Sequence, residues 1–355
     1  MTKIAIIGDL HFGVRNGNES FFEFQADYID HFIDKCVALG VEHIVNPGDF
    51  FDVRKSTNTR VVDYVLGRFK KKLESTDITW YATPGNHDIF LRSSNALTAC
   101  RLFDSNENVV LYEQPTDVMI GGKTFLMMPW LDEQIGPDLE KHIASSRADY
   151  CFGHFEFAGF PMYAGSVAPH GLSIEPFKKF KRVWSGHYHT ISERQNIQYL
   201  GSPYHLTWGD VPDGTNRGFF IFDTDTEQQE FVANEDWMSM FSVFEYDPNA
   251  EENVVSLSKQ LAGKIVKVIV REKPNEKHYK NFVKALNQVD LIEHRIIDET
   301  VVQTQSVSIK EEDLTVNTRE AFDSYIDGQE DGLFDKAAVK LLKDDILARA
   351  LAETP

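Results

Sequence analysis

Short apolar runs alternate with stretches of helical period along the first 235 residues, the pattern of an α/β domain. Residues 3–7, 42–46 and 78–82 read as strands, and residues 59–73 as a helix. Ser20, Phe21, Phe22 and Glu23 fit a capping box. The helix it opens carries Phe24, Tyr28, Phe32 and Val37 until Gly40 stops it. Gly121-Gly122, between residues 118–120 and 123–128, predicts a two-residue hairpin, and a second hairpin joins 218–222 to 230–232. Hairpins set into an α/β order predict two stacked mixed sheets flanked by helices, an α/β sandwich.

The pattern changes after residue 235. Residues 234–253 are acidic, aromatic and poorly periodic. A strand at 264–270, a helix at 276–288 with Tyr279, Phe282, Val283 and Leu286 on one face, and a strand at 291–298 form a small βαβ unit. Residues 299–317, rich in Thr, Gln, Ser and Glu, read as a linker. Two C-terminal helices follow at 319–326 and 333–352, the second striped by Phe334, Ala338, Leu341, Leu342 and Ile346. The expected division is a main domain over 1–235, a small α+β cap over 236–298, the linker, and a helical segment over 318–355.

Of the 355 residues, 42% are hydrophobic and 26% charged, a soluble globular composition. The strand-like start carries no basic and apolar leader pattern, and no run approaches the roughly 20 apolar residues of a membrane span. Three cysteines without Cys-x-x-Cys spacing suit a reducing compartment, so a cytoplasmic location is expected. The formal charge is −19, and residues 298–355 alone hold 14 acidic and 6 basic groups. An Asp-rich metal site looks acidic on paper while bound cations neutralise it, so the charge does not exclude a DNA substrate.

Five segments share one grammar, an apolar strand, a small residue, then side chains able to hold metal. They span residues 4–11, 43–52, 80–88, 150–154 and 183–189, and supply Asp9, His11, Asp49, Asn86, His154, His187 and His189. Ligands gather at the carboxyl ends of strands in open α/β sheets, where these side chains lie. Asp-x-His and His-x-His put two groups on one side of an extended chain. Seven donors mixing imidazole, carboxylate and amide oxygen exceed the four of a closed zinc site, and one shared carboxylate could bridge two ions. Such a pair polarises a phosphate and acidifies a water.

Asp9-x-His11, Gly48-Asp49-x-x-Asp52, Gly85-Asn86-His87-Asp88, Gly153-His154 and Gly186-His187-x-His189 resemble, in order, the motifs of the calcineurin-like binuclear metallophosphoesterases. The resemblance covers roughly residues 1–235. It implies that Asp9, His11 and His189 hold one ion, that Asn86, His154 and His187 hold the other, and that Asp49 bridges them. It also implies that His87 protonates the leaving oxygen or stabilises the transition state, with Asp52 orienting it. Phe50-Phe51-Asp52-Val53-Arg54 and Tyr199-Leu200-Gly201-Ser202-Pro203 are similar to the nuclease subunits of double-strand-break repair and recombination complexes, the SbcD type and its phage counterparts. Archaeal and eukaryotic relatives carry a histidine at the position of Asp52.

That likeness implies Mn²⁺-dependent cleavage of DNA, with Mg²⁺ as the alternative ion, exonucleolytic on duplex ends and endonucleolytic on single strands. It further implies a homodimer formed through helices near residues 21–39 and 91–103, and docking of the C-terminal helices on an ABC-type, SMC-like ATPase. Arg54 and Lys55, close after Asp49, are the candidates for touching a phosphate. Two basic clusters, Arg68 with Lys70, Lys71 and Lys72, and Lys178 with Lys179, Lys181 and Arg182, are further options, although the first ends a helix where solvent and dipole account for it. The rival functions are a phosphoesterase acting on small phosphodiesters or phosphoproteins, and a non-catalytic DNA-end scaffold.

Overall fold

The computed structural model describes residues 2–300, except 53, 54, 92, 164, 214, 215, 235, 236 and 238, together with 326, 336, 337, 339 and 340. Two six-stranded sheets form its centre. The first runs, edge to edge, Gln229–Ala233, Gly218–Asp223, Lys3–Ile6, His43–Asn46, Thr79–Ala82 and Val109–Leu111. Its last four strands are parallel, and the Gly218–Asp223/Gln229–Ala233 hairpin adds antiparallel to Lys3–Ile6. The second runs Ser192–Arg194, Ile197–Tyr199, Arg182–Gly186, Tyr150–His154, Lys123–Met128 and Thr116–Ile120. Its four central strands are parallel and its two edges antiparallel.

Period-two alternation explains the layering. Ile4 and Ile6 face the second sheet, in one buried cluster with Val45, Phe125, Phe152 and Trp184. Ala5 and Ile7 face the other way, toward the helix Glu19–Ala38 and the stretch 59–74. Trp80 anchors that outer layer, its ring 5.4 Å from Phe69 and 6.0 Å from Phe32. On the far side of the second sheet, Ile143 of the helix Leu139–Ser145 packs with Cys151, Val183 and Tyr199. Each fully buried large side chain contributes roughly 1.5–3 kcal/mol. The layers are therefore helix, sheet, sheet, helix, as expected.

Several local expectations need correction. Asn18, not Ser20, caps the helix Glu19–Ala38, its side chain accepting from the Phe21 N–H. The stretch 59–74 is continuous but passes through a π turn at Val65–Phe69. Helix was expected over 91–103, whereas Ile89–Leu91 and Ser94–Thr98 form a hairpin followed by a 3-10 turn, Ala99–Ser105. Asn95 explains it: its backbone N–H donates to Asp132 and its side chain to the Trp130 carbonyl, which holds the chain extended. The segment for which the resemblance implied a helix is thus a hairpin and a 3-10 turn.

Residues 241–298 contain more structure than the single βαβ unit expected. Phe241–Glu245, Ile265–Val270 and Glu293–Asp298 form a three-stranded sheet, with helices Val254–Leu261 and Glu276–Leu286. Asn253 and Ser256 form a capping box at the helix that periodicity missed. Phe241 and Ile265 pack on Phe21, so this segment shares a compact unit with the first 235 residues. Apart from five helical residues, the expected linker beyond 300 and the C-terminal helices lie outside the described residues. Among the described residues, no helix is long and apolar enough to cross a membrane, and the three cysteines are free and buried.

Because Asn18 supplies the cap, Asn18→Ala should lower stability by about 1 kcal/mol, and Ser20→Ala should leave it within a few tenths. Urea unfolding of both variants checks the assignment.

Candidate metal centre

The five strand ends converge at one edge of the two sheets. Asp9 and His11 follow Lys3–Ile6, Asp49 follows His43–Asn46, and Asn86 and His87 follow Thr79–Ala82. His154 ends its strand in the second sheet, and His187 and His189 follow Arg182–Gly186. The glycines beside them permit close approach. A Cβ on Gly85 would lie 2.3 Å from Asp49 Oδ1, and one on Gly186 would lie 2.5 Å from Asp9 Oδ1. His11, Asp49 and His187 themselves hold φ of 43°, 52° and 92°, a region that non-glycine residues adopt uncommonly.

A continuous chain of close contacts links all seven donors. Asp9 Oδ2 lies 3.9 Å from His189 Nε2, which lies 3.2 Å from His11 Nε2. Asp49 Oδ2 stands between the two halves, 3.6 Å from His11 Nε2 and 3.1 Å from His154 Nε2. Asn86 Oδ1 is then 3.1 Å from His154 Nε2 and 2.8 Å from His187 Nδ1. Asp9 also accepts the backbone N–H of His187, at 2.8 Å, which joins the first and last loops.

The outward ring nitrogens show why cations fit here. His11 Nδ1 faces the Asp52 carboxylate at 3.1 Å and His154 Nδ1 the Pro47 carbonyl at 3.1 Å. His187 Nε2 faces Glu156 at 3.0 Å, and His189 Nδ1 faces Asp210 at 3.5 Å. In a neutral imidazole, an acceptor at the outer nitrogen favours the tautomer that leaves the inner nitrogen as a lone-pair donor. Lone pairs meeting carboxylate and amide oxygens at these distances repel one another unless cations lie among them. Asp9, His11 and His189 form one such group, and Asp49, His154 and His187 another.

Asp52 and His87 sit beside the first group. His87 Nδ1 is 2.8 Å from the backbone carbonyl of Asp52, not from its carboxylate. Asp52 thus fixes His87 through its main chain and His11 through its side chain. Lys55 is exposed, and Arg54 lies outside the described residues. Both basic clusters are largely neutralised within the fold: Arg68 pairs with Asp27 and Asp30, Lys72 with Asp34, Lys181 with Glu227 and Arg182 with Glu193.

Sequence reasoning missed Glu156 and Asp210. Glu156, two residues after His154, had a spacing signal of the Asp-x-His kind, whereas Asp210 had none. Asp88 stands outside the donor groups, its carboxylate accepting from the N–H groups of Gly85, Asp49 and Phe51 at 2.7–2.8 Å. Burial, reinforced by the Asp49 charge, pushes its carboxyl up to about 7. Burial also opposes the Asp49 charge, but His154 and His11 outweigh it and hold that carboxyl well below the usual range.

This architecture, with oxygen and nitrogen donors delivered from the strand ends of two stacked sheets, defines a metal-dependent phosphoesterase. The chain belongs to the calcineurin-like phosphoesterase family, whose signature matches residues 2–191. It is 37% identical over 235 residues to exonuclease subunit 1 of Enterobacteria phage T4, a match covering 65% of this chain and 68% of that protein. Among solved structures, it is similar to a dimetal phosphatase from Danio rerio, at 13% identity, TM-score 0.40, and 62% and 91% of the two chains. A purple acid phosphatase from yellow lupin (Lupinus luteus) gives 12% identity, TM-score 0.38, and 65% and 52% coverage. The family uses divalent metal ions.

With the metals chelated, burial disfavours charge on His11 and His154, but Asp52 and Asp49 on the first and Asp49 on the second raise both to about 9 from 6.5. A raised folded value stabilises the fold fully below about 6.5 and ceases to do so as the pH rises through about 9. The melting temperature of EDTA-treated protein should therefore fall between those values. Metal-loaded protein, whose imidazoles must already be neutral, should show no such fall in differential scanning calorimetry.

Proposed function

We propose that the chain hydrolyses DNA phosphodiesters with two divalent ions, Mn²⁺ in preference to Mg²⁺. It acts as an exonuclease on duplex ends and an endonuclease on single strands, in DNA recombination and repair. The observation that carries this reading is Asp49 Oδ2, poised between His11 and His154 at the junction of two donor groups. The 37% identity to a phage exonuclease subunit supports the nucleic-acid substrate. When bound, a divalent pair polarises the phosphoryl group and acidifies a water.

In this reading Asp9, His11 and His189 hold one ion, Asn86, His154 and His187 the other, and Asp49 both. His87, anchored by Nδ1 on the Asp52 carbonyl, presents Nε2 as the proton donor to the departing oxygen. Lys55 and Arg54 contact flanking phosphate. We further propose that residues 236–298 serve as a cap, that the chain dimerises, and that residues 318–355 dock on an ABC-type ATPase. A second reading, hydrolysis of small phosphodiesters, draws support from the ion pairs that occupy the basic clusters. The complete donor set argues against a scaffold without activity.

Asp49→Asn should abolish Mn²⁺-dependent cleavage of end-labelled single- and double-stranded DNA and of bis(p-nitrophenyl) phosphate. Full activity in this variant would refute the shared-ligand role, and wild-type cleavage of the small ester alone would favour the second reading. His87→Ala should reduce kcat by about 100- to 10,000-fold while calorimetric Mn²⁺ binding stays intact. Loss of the metal there would move His87 into the ligand set.

A further inference from the structure

Behind His189 lies a buried ion pair that the proposed chemistry does not use. Asp210 is 2% exposed and Arg217 1%. Burying two charges costs several kcal/mol per ion unless partners compensate, so such a pair calls for a reason. Both members of the pair touch His189. Arg217 Nη1 donates to the His189 carbonyl and to Ser202 Oγ, and Nη2 donates to the Asp210 carbonyl at 3.3 Å and lies 3.8 Å from Asp210 Oδ1. Asp210 Oδ1 in turn faces His189 Nδ1.

The other carboxylate oxygen is fully committed. Asp210 Oδ2 accepts the Leu206 N–H at 3.0 Å, the Thr207 N–H at 2.7 Å and the Thr207 hydroxyl at 3.1 Å. The turn 206–210 therefore fixes which oxygen points at the imidazole. The His189 ring lies 3.5 Å from Asp210 and its main-chain carbonyl accepts from Arg217.

We propose that Asp210, clamped by Arg217, is a positioning residue that sets the tautomer and aim of His189 toward its metal. The proposal rests on the assignment of His189 as a ligand. Asp210 keeps the neutral ring protonated on Nδ1, so Nε2, 3.2 Å from His11 Nε2, offers its lone pair to the ion.

Asp210→Asn separates this role from a structural one. Three donors demand an oxygen at the Oδ2 position, so the amide NH₂ is forced to face His189 Nδ1. A donor there favours the opposite tautomer, with the proton on Nε2, while the turn keeps its acceptor. Mn²⁺ titration calorimetry on the full-length protein should show one of two sites weakened by about 10- to 100-fold. Activity should recover at high Mn²⁺, with the half-saturating concentration raised by the same factor. His189→Ala should weaken the same site. Unchanged Mn²⁺ binding in Asp210→Asn alongside weakened binding in His189→Ala would overturn the positioning role. Unchanged binding in His189→Ala would overturn the ligand assignment and the proposal with it. Should Asp210→Asn fail to fold, ¹⁵N-histidine NMR of the chelated wild-type protein decides. The neutral His189 ring is expected to carry its proton on Nδ1, and a proton on Nε2 would overturn the proposal.

Discussion

One carboxylate outside the donor groups holds the centre together. Asp88 takes the N–H groups of Gly85, Asp49 and Phe51, and so fastens the loop after the third parallel strand of the first sheet to the loop after the second. Asp49 returns the link by accepting the His87 N–H at 2.7 Å and the N–H groups of Leu10 and His11 on its carbonyl, each at 3.0 Å. Three loops that carry candidate donors thus share a single hydrogen-bonded knot. The geometry of the donors follows from that knot, because backbone amides position a side chain more rigidly than rotamers alone.

Around the knot, like charges and lone pairs are crowded to a degree that only glycine-lined backbone allows. Gly48, Gly85 and Gly186 sit where any Cβ would intrude on Asp49, His154 or Asp9. The outward nitrogens of the four imidazoles end on carboxylates or a carbonyl, so in the neutral rings the inward atoms are favoured as electron-pair donors. Two of those outer acceptors, Asp52 and Asp210, stand behind the group of Asp9, His11 and His189. The other group is backed by a neutral carbonyl and by Glu156, whose side chain is half exposed. The two positions therefore differ in the charge that supports them.

Much of this was legible in the chain. Strand ends followed by Asp, Asn or His identified all seven converging donors, because a strand delivers its C-terminal loop to a fixed edge and period-two spacing fixes the face. Gly121-Gly122 announced its hairpin, and both glycines adopt positive φ, 55° and 75°. What escaped was set by tertiary contact. Asn95, tied to Asp132 and Trp130, lies in a hairpin over 89–98 where the resemblance implied a helix. Asp210 gains its meaning from Arg217 and His189, partners that no local spacing connects. The strand Phe241–Glu245 lies in the acidic, aromatic stretch whose pattern is poorly periodic, and its Phe241 packs on Phe21.

The left-handed backbone at His11, Asp49 and His187 has a consequence for how the protein tolerates damage. Each such residue raises the free energy of the folded chain by about 1–3 kcal/mol, so three together approach the net stability of a whole domain. The two sheets must hold that tension, with Trp80 and Trp184 fully buried on their strands. A defect deep in either core would then relax these loops before it unfolded the sheets, so wear anywhere in the scaffold would register first as a lost reaction.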